Sequence, residues 1–132
     1  MRFALDTSAY SHFMRGDAPA VDLVDVAEWI GVPVIVLGEL RTGFGLGKRA
    51  RQNERELATF MESPVVHVLE VDDEAARIYS EIVVSLRAAG TPLPTNDIWI
   101  AAVAAREGAQ VVTYDDHFRV IGRIGSLVLA RS

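Results

Sequence analysis

Phe3-Ala4-Leu5-Asp6-Thr7-Ser8 is a short apolar run that stops at an acid followed by two hydroxyls. Such a run reads as a buried strand. Thr7 or Ser8 then caps a helix predicted to continue through Met14. An acid at that junction stands where open α/β sheets bind ligands, beyond the carboxyl ends of their strands.

Outward from this stretch the same alternation recurs. Asp17-Ala18-Pro19 opens a helix in which apolar residues return every three or four positions through Ile30, with Gly31 as its stop. Residues 32–37 form a β-branched run read as a strand with Pro33 at its start. A helix is predicted to begin around Gly38 and to carry Glu39 and Arg41 in its first turn, with Gly43, Gly45 and Gly47 as a loose joint. Residues 48–62 read as a helix with Leu57, Phe60 and Met61 inward, and residues 65–69 as a strand. Asp72-Asp73-Glu74 places acids at the start of a helix, where the dipole favours them, and Gly90 ends it. Thr95-Asn96-Asp97 opens a helix rich in alanine, residues 111–113 are a strand, and Val128-Leu129 a further one. Strands alternating with helices predict an α/β fold with a mostly parallel central sheet flanked by helices in three layers. No repeat or linker divides residues 1–132, so a single domain is expected.

Composition narrows the function classes. Half of the 132 residues are hydrophobic and 23% are charged, which suits a globule and is too apolar for disorder. No apolar run approaches the roughly 20 residues of a membrane span, and Asp6 interrupts any secretory apolar region, so a cytoplasmic location is expected. The absence of cysteine excludes disulfides and thiolate zinc sites. His12, His67 and His117 are scattered and do not suggest a zinc site. The net charge of −5 does not advertise nucleic-acid binding. Between Arg41 and Arg55, however, Arg41, Lys48, Arg49, Arg51 and Arg55 face Glu54 alone. An acidic body with one basic segment implies two chemically distinct surfaces. Arg41, Lys48, Arg49 and Arg51 are candidate RNA-phosphate contacts, or else a solvated helix face.

Four acids, Asp6, Glu39, Asp97 and Asp115, fall at strand ends or helix starts. Each alone has a reading as a cap or turn residue. Capping does not explain why all four should converge at one sheet edge. Gathered carboxylates repel unless a cation intervenes, and oxygen-only donors suit Mg²⁺ or Mn²⁺. A divalent-metal site for phosphodiester hydrolysis by activated water is the leading expectation. Phosphoaspartate chemistry fits poorly. Position 8 is Ser where a second Asp is needed, and the chain's only lysine is Lys48, outside a late strand.

Leu5-Asp6-Thr7-Ser8, Gly38-Glu39-Leu40-Arg41-Thr42-Gly43, Pro94-Thr95-Asn96-Asp97-Ile98-Trp99-Ile100-Ala101-Ala102 and Val112-Thr113-Tyr114-Asp115-Asp116-His117-Phe118 together resemble the PIN domain, most closely its VapC toxin ribonucleases. The resemblance runs in the family's order over nearly the whole chain. It implies a Rossmann-like fold and a Mg²⁺- or Mn²⁺-dependent endoribonuclease, the toxin of a toxin–antitoxin pair acting on tRNA or rRNA. It also implies a VapB-type antitoxin and a homodimer. Asp6, Glu39, Asp97 and Asp115 match the acidic quartet, with Asp6, Asp97 and Asp115 expected to hold the ion and Glu39 to complete the site or orient the water; Ser8 matches a hydroxyl near the metal, and Asn96 and Thr113 polar supports. Asp115 and Asp116 point opposite ways on an extended segment, and the Thr-x-Asp register favours Asp115 with Asp116 in reserve. The alternative is a catalytically inactive PIN-like RNA-binding or scaffold domain.

Trp29 and Trp99 are read as helix packing residues, Tyr10 and Tyr114 as core or rim ahead of base-stacking rings, and His117 as a surface neighbour of the acids ahead of a substrate contact. Phe44, Leu46 and Phe60 are candidates for an antitoxin groove or dimer face, or for the core.

Overall fold

The computed structural model describes residues 1–131. Its elements are β1 (Phe3–Leu5), α1 (Thr7–Met14), α2 (Ala18–Val26), β2 (Ile30–Pro33), α3 (Val34–Leu46), α4 (Ala50–Met61), β3 (Val66–Leu69), α5 (Asp73–Ala89), α6 (Thr95–Arg106), β4 (Gln110–Thr113), a 3₁₀ turn (Asp116–Val120) and β5 (Ser126–Val128). The strands lie in the order β3-β2-β1-β4-β5, and every neighbouring pair is parallel. Parallel neighbours need crossovers, which the helices supply. All four residues of β2 are buried whichever way they point, so helices cover both sides of the sheet there. The chain builds outward from β1 in one direction and later from β4 in the other. The β1–β4 junction is therefore the switch point where such sheets hold ligands.

The core fills this sandwich with Val32, Val36, Leu57, Ile100, Val111 and Val112, among others. The small-residue character of α6 has the expected use: Ala101, Ala102 and Ala104 are fully buried and let the helix lie close to β2 and β4. Trp99 stacks on Tyr79 of α5 with ring centroids 3.9 Å apart, as a packing residue should.

The segment from Ala27 to Leu46 departs from the sequence reading. The first long helix ends at Val26, not Ile30, and Gly31 is inside β2 rather than a helix stop. A Cβ at Gly31 would lie 2.7 Å from Leu69 Cδ1 and 2.9 Å from Trp29 Cη2, so the strand needs glycine where β3 and the indole close over it. Trp29 is no helix residue; its ring stacks on His67 and carries the Arg2 guanidinium 4.7 Å from its centroid. Pro33 ends β2 instead of starting it. Its fixed φ, here −59°, makes it the N-cap of α3. The β-branched residues Val34, Ile35 and Val36 thus form the first turn of a helix, because tertiary burial overrides their strand preference. α3 is continuous through Gly43 and Gly45, so the loose joint is confined to the residues after Leu46. Glu39 consequently lies in the second turn of α3. The last strand is Ser126–Val128, shifted from Val128-Leu129.

Candidate functional site

β1 delivers Asp6 to the switch point. Asp6 is itself the N-cap of α1, its Oδ1 accepting from the Ala9 N–H at 2.9 Å. The Ser8 hydroxyl donates to the same oxygen at 2.7 Å, and the Thr113 hydroxyl at the end of β4 donates to Oδ2 at 2.5 Å. Each hydroxyl has one proton, and both are given to Asp6. The 3.4 Å Ser8–Thr113 contact is thus proximity alone. The freed lone pairs accept from the chain: Ser8 Oγ from Tyr114 N–H and Thr113 Oγ1 from Asp115 N–H, each at 3.0 Å. One network therefore fixes Asp6 and the backbone that carries Asp115.

α3 supplies Glu39 and the first turn of α6 supplies Asp97. The Thr7 hydroxyl donates to Glu39 Oε1 at 2.6 Å, and Asn96 Nδ2 donates more weakly to Oε2 at 3.4 Å. His117 sits between the remaining acids, its Nε2 2.8 Å from Asp97 Oδ2 and its Nδ1 3.5 Å from Asp115 Oδ1. The Nε2 contact is close, but its direction does not make a hydrogen bond. Asp6, Glu39, Asp97 and Asp115 line one cleft of about 390 Å³ with Ser8 and His117.

The electrostatics follow from this crowding. Burial holds the Asp6 carboxyl above the usual aspartate range, helped by the Asp115 charge and opposed by the hydrogen bonds from Thr113, Ala9 and Ser8. Burial also raises Asp97, with Glu39 and Asp6 adding to the rise and His117 opposing it. A carboxyl whose folded-state pKa is raised contributes stability below its unfolded value, near 3.8, and loses it as pH climbs through the raised value. Asp72, lowered by the Ala75 N–H and Arg106, acts in the opposite sense at lower pH. In EDTA the urea midpoint is expected to be higher at about pH 5 than at about pH 8, and Asp6→Asn to narrow that gap. A midpoint that rises between those two pH values would contradict the assignment.

Some placements differ from expectation. Among the described residues no three His, Asp or Glu side chains gather at one point suited to a metal ion. The four acids share a cleft, but His117 lies between Asp97 and Asp115, and unneutralised carboxylates repel. Asp115 lines the cleft; Asp116, exposed at the start of the 3₁₀ turn, does not. Among the basic candidates, Arg49 lines a neighbouring groove, Arg41 is tied to Glu54 at 2.9 Å, and none of Arg41, Lys48, Arg49 and Arg51 lines the cleft itself. His117 is a half-buried member of the site rather than a surface neighbour. Tyr114 stacks on His12 at 3.8 Å and donates to Asp17 at 2.6 Å. The sequence reading missed Thr7 as the partner of Glu39, and Ser11, His12 and Arg15 as cleft walls. A signal for the wall was present: Ser8, Ser11, His12 and Arg15 follow the i, i+3, i+4, i+7 spacing of one helical face.

Comparison with known proteins agrees with this fold. The PIN domain family model matches residues 3–124. Ribonuclease VapC5 of Mycobacterium tuberculosis is 32% identical over 127 residues, covering 96% of this chain and 93% of that protein. The structure of VapBC2 from Rickettsia felis, bound to a DNA fragment from its promoter, superposes with a TM-score of 0.89 at 22% identity, covering 98% of this chain and 100% of that one. M. tuberculosis VapC20, described as a sarcin-ricin loop cleaving toxin, superposes with a TM-score of 0.69 at 25% identity over 98% of this chain and 99% of that one. A parallel sheet with an acid-lined cleft at its switch point, matched along nearly its whole length, places this chain in the PIN-domain family, beside the VapC ribonucleases.

Proposed function

We propose that the chain is a divalent-metal-dependent endoribonuclease, the toxin of a type II toxin–antitoxin pair, cutting RNA phosphodiesters at the four-acid cleft. The observation that carries this reading is that Asp6, Glu39, Asp97 and Asp115, from four separate segments, line one cleft at the switch point. Kinship with ribonuclease VapC5 supports the substrate class, and the VapBC complexes among the structural neighbours support a VapB-type antitoxin as partner. A second copy of the chain is a further expected partner, and the cytoplasm the expected compartment. Among the described residues no helix is long and apolar enough to cross a membrane.

The donor set fits Mg²⁺ or Mn²⁺. It is all carboxylate oxygen, and burial, with the neighbouring acids adding to it, disfavours the charges of Asp6 and Asp97 in a way that a hard cation would relieve. Asp6, Asp97 and Asp115 would hold the ion. When bound, such an ion supplies Lewis acidity that favours attack by water and stabilises the leaving oxygen. The chain's own work is preorganisation. Thr113, Ser8 and the Ala9 N–H fix both oxygens of Asp6, Thr113 also holds the backbone of Asp115, and Thr7 with Asn96 orients Glu39 to take a proton from the attacking water. Asp116 has no part in the cleft in this reading.

The test is incubation of antitoxin-free protein with a panel of tRNA and rRNA in Mg²⁺, Mn²⁺ or EDTA. Discrete products in the metal lanes and none in EDTA are expected. Undiminished cleavage in EDTA would remove the metal from the mechanism. Folded protein that binds Mn²⁺ and RNA but cuts nothing would favour an RNA-binding PIN domain without catalysis.

A further inference from the structure

The acid cleft continues into a second groove. Ser11 and Arg15 line both, and the second, of about 370 Å³, runs between α1, α3 and α4 past Tyr10, Arg49 and Asn53. The sign of charge changes along this path. Four carboxylates line the cleft, whereas two arginines, Arg15 and Arg49, face only Glu56 in the groove. Arg15 stands at the shared wall, and among the described residues its guanidinium has no ion pair or hydrogen bond. Arg41, two residues beyond Glu39 on α3, differs in being neutralised by Glu54. Tyr10 adds an independent observation. It is 2% exposed and lines the groove, yet among the described residues its hydroxyl has no hydrogen-bond partner. A buried donor left unpaired is costly, which suits a site completed by an acceptor from outside the chain.

We infer that this groove carries the RNA strand leaving the acid cleft, with Arg15 on the phosphate beside the one cut and Arg49 on a phosphate further along. The inference rests on the nuclease reading above and deepens it by naming how the substrate is held. A polyanion approaching four carboxylates is repelled unless cations on its path offset them, and Arg15, without an ion pair among the described residues, stands where cleft and groove meet. Planar guanidinium groups suit phosphate oxygens. Ser11 and Asn53 add uncharged hydrogen-bonding groups along the same wall.

The test measures binding apart from cleavage. Anisotropy of a fluorescein-labelled single-stranded RNA is followed in EDTA against KCl concentration for wild type, Arg15→Gln, Arg49→Gln, the double variant and Arg15→Lys. Each lost phosphate contact flattens the log–log salt slope by about 0.7, so the double variant is expected to fall by about 1.4 and to bind about 10-fold more weakly. Arg15→Lys should keep most of the wild-type slope. With metal present KM should rise while kcat holds, and Mn²⁺ affinity should match wild type. Wild-type slope and affinity in the double variant would overturn the groove. So would intact RNA binding with lost inhibition by a co-expressed antitoxin, which would give the groove to a protein partner. Wild type that binds RNA with the expected arginine dependence but never cuts it would overturn the nuclease reading and keep the RNA groove. Wild type that binds no RNA in EDTA yet cuts it with Mn²⁺ present would overturn the groove and keep the nuclease, and wild type that neither binds nor cuts RNA with Mn²⁺ present would overturn both.

Discussion

Asp97→Asn is expected to lower RNA cleavage by more than about 100-fold while leaving the fold intact. Outer-shell partners of metal ligands already command about 10–100-fold in affinity or activity, and a group placed to hold the ion should exceed them. The amide keeps the shape of the carboxylate but removes the charge that attracts a hard cation. Stability should barely move, because two small effects oppose. The charge of Asp97 is disfavoured by burial and by Glu39 and Asp6, so neutralising it relieves strain. The close contact with His117 is lost, and a partly exposed pair of this kind is worth at most about 1 kcal/mol. Calorimetric Mn²⁺ titration should weaken in parallel with activity, while the urea midpoint in EDTA stays within about 1 kcal/mol of wild type. Wild-type cleavage rates in added Mg²⁺ would sink the assignment. So would lost cleavage with wild-type Mn²⁺ affinity, since Asp97 would then act on something other than the ion.

The sequence exposed what depends on local chemistry. Phe3-Ala4-Leu5 stopping at Asp6, the acids Asp72, Asp73 and Glu74 at the start of α5, Gly90 with its positive φ of 72° and the alanine face of α6 each carry a local physical reason, and each element forms where that reason puts it. The failures lie where tertiary contacts decide. Nothing within residues 27–37 announces that Gly31 must pass under Leu69 and Trp29, or that Val34, Ile35 and Val36 spend their β-branched side chains on a helix. Glu39 lies six positions beyond the end of β2, not the two implied by a longer strand; helical rise keeps Glu39 within reach of Thr7 all the same. The basic segment was visible as composition, but its geometry was not. Arg41 is consumed by Glu54, and the arginine at the cleft wall is Arg15, isolated in sequence from the other cations. His117 shows the same limit: two carboxylates surround it, one 20 residues away in sequence and one two residues away.

Phe118→Ala is expected to cost about 3–5 kcal/mol, the range for deleting a fully buried aromatic side chain. Phe118 has no exposed surface and heads the fully buried side chains in size. It anchors the 3₁₀ turn Asp116–Val120 to the core immediately after Asp115. Against a total stability of about 5–15 kcal/mol this is a large fraction. The urea midpoint should drop at an unchanged slope of free energy on denaturant. Phe118→Leu, which keeps an apolar side chain in the same space, should lose much less. A Phe118→Ala cost below about 1 kcal/mol would mean that the ring is not packed as described. The damage should reach the cleft, because Asp115 is tethered on one side by its N–H to Thr113 and on the other by the turn that Phe118 holds. Weaker Mn²⁺ binding is therefore expected even under conditions where the variant remains folded. The contrast with Asp97→Asn separates two demands on one small protein. The acids crowd charge into a place where the fold alone would favour neutral groups, and buried residues such as Phe118 supply the stability that lets the crowding persist.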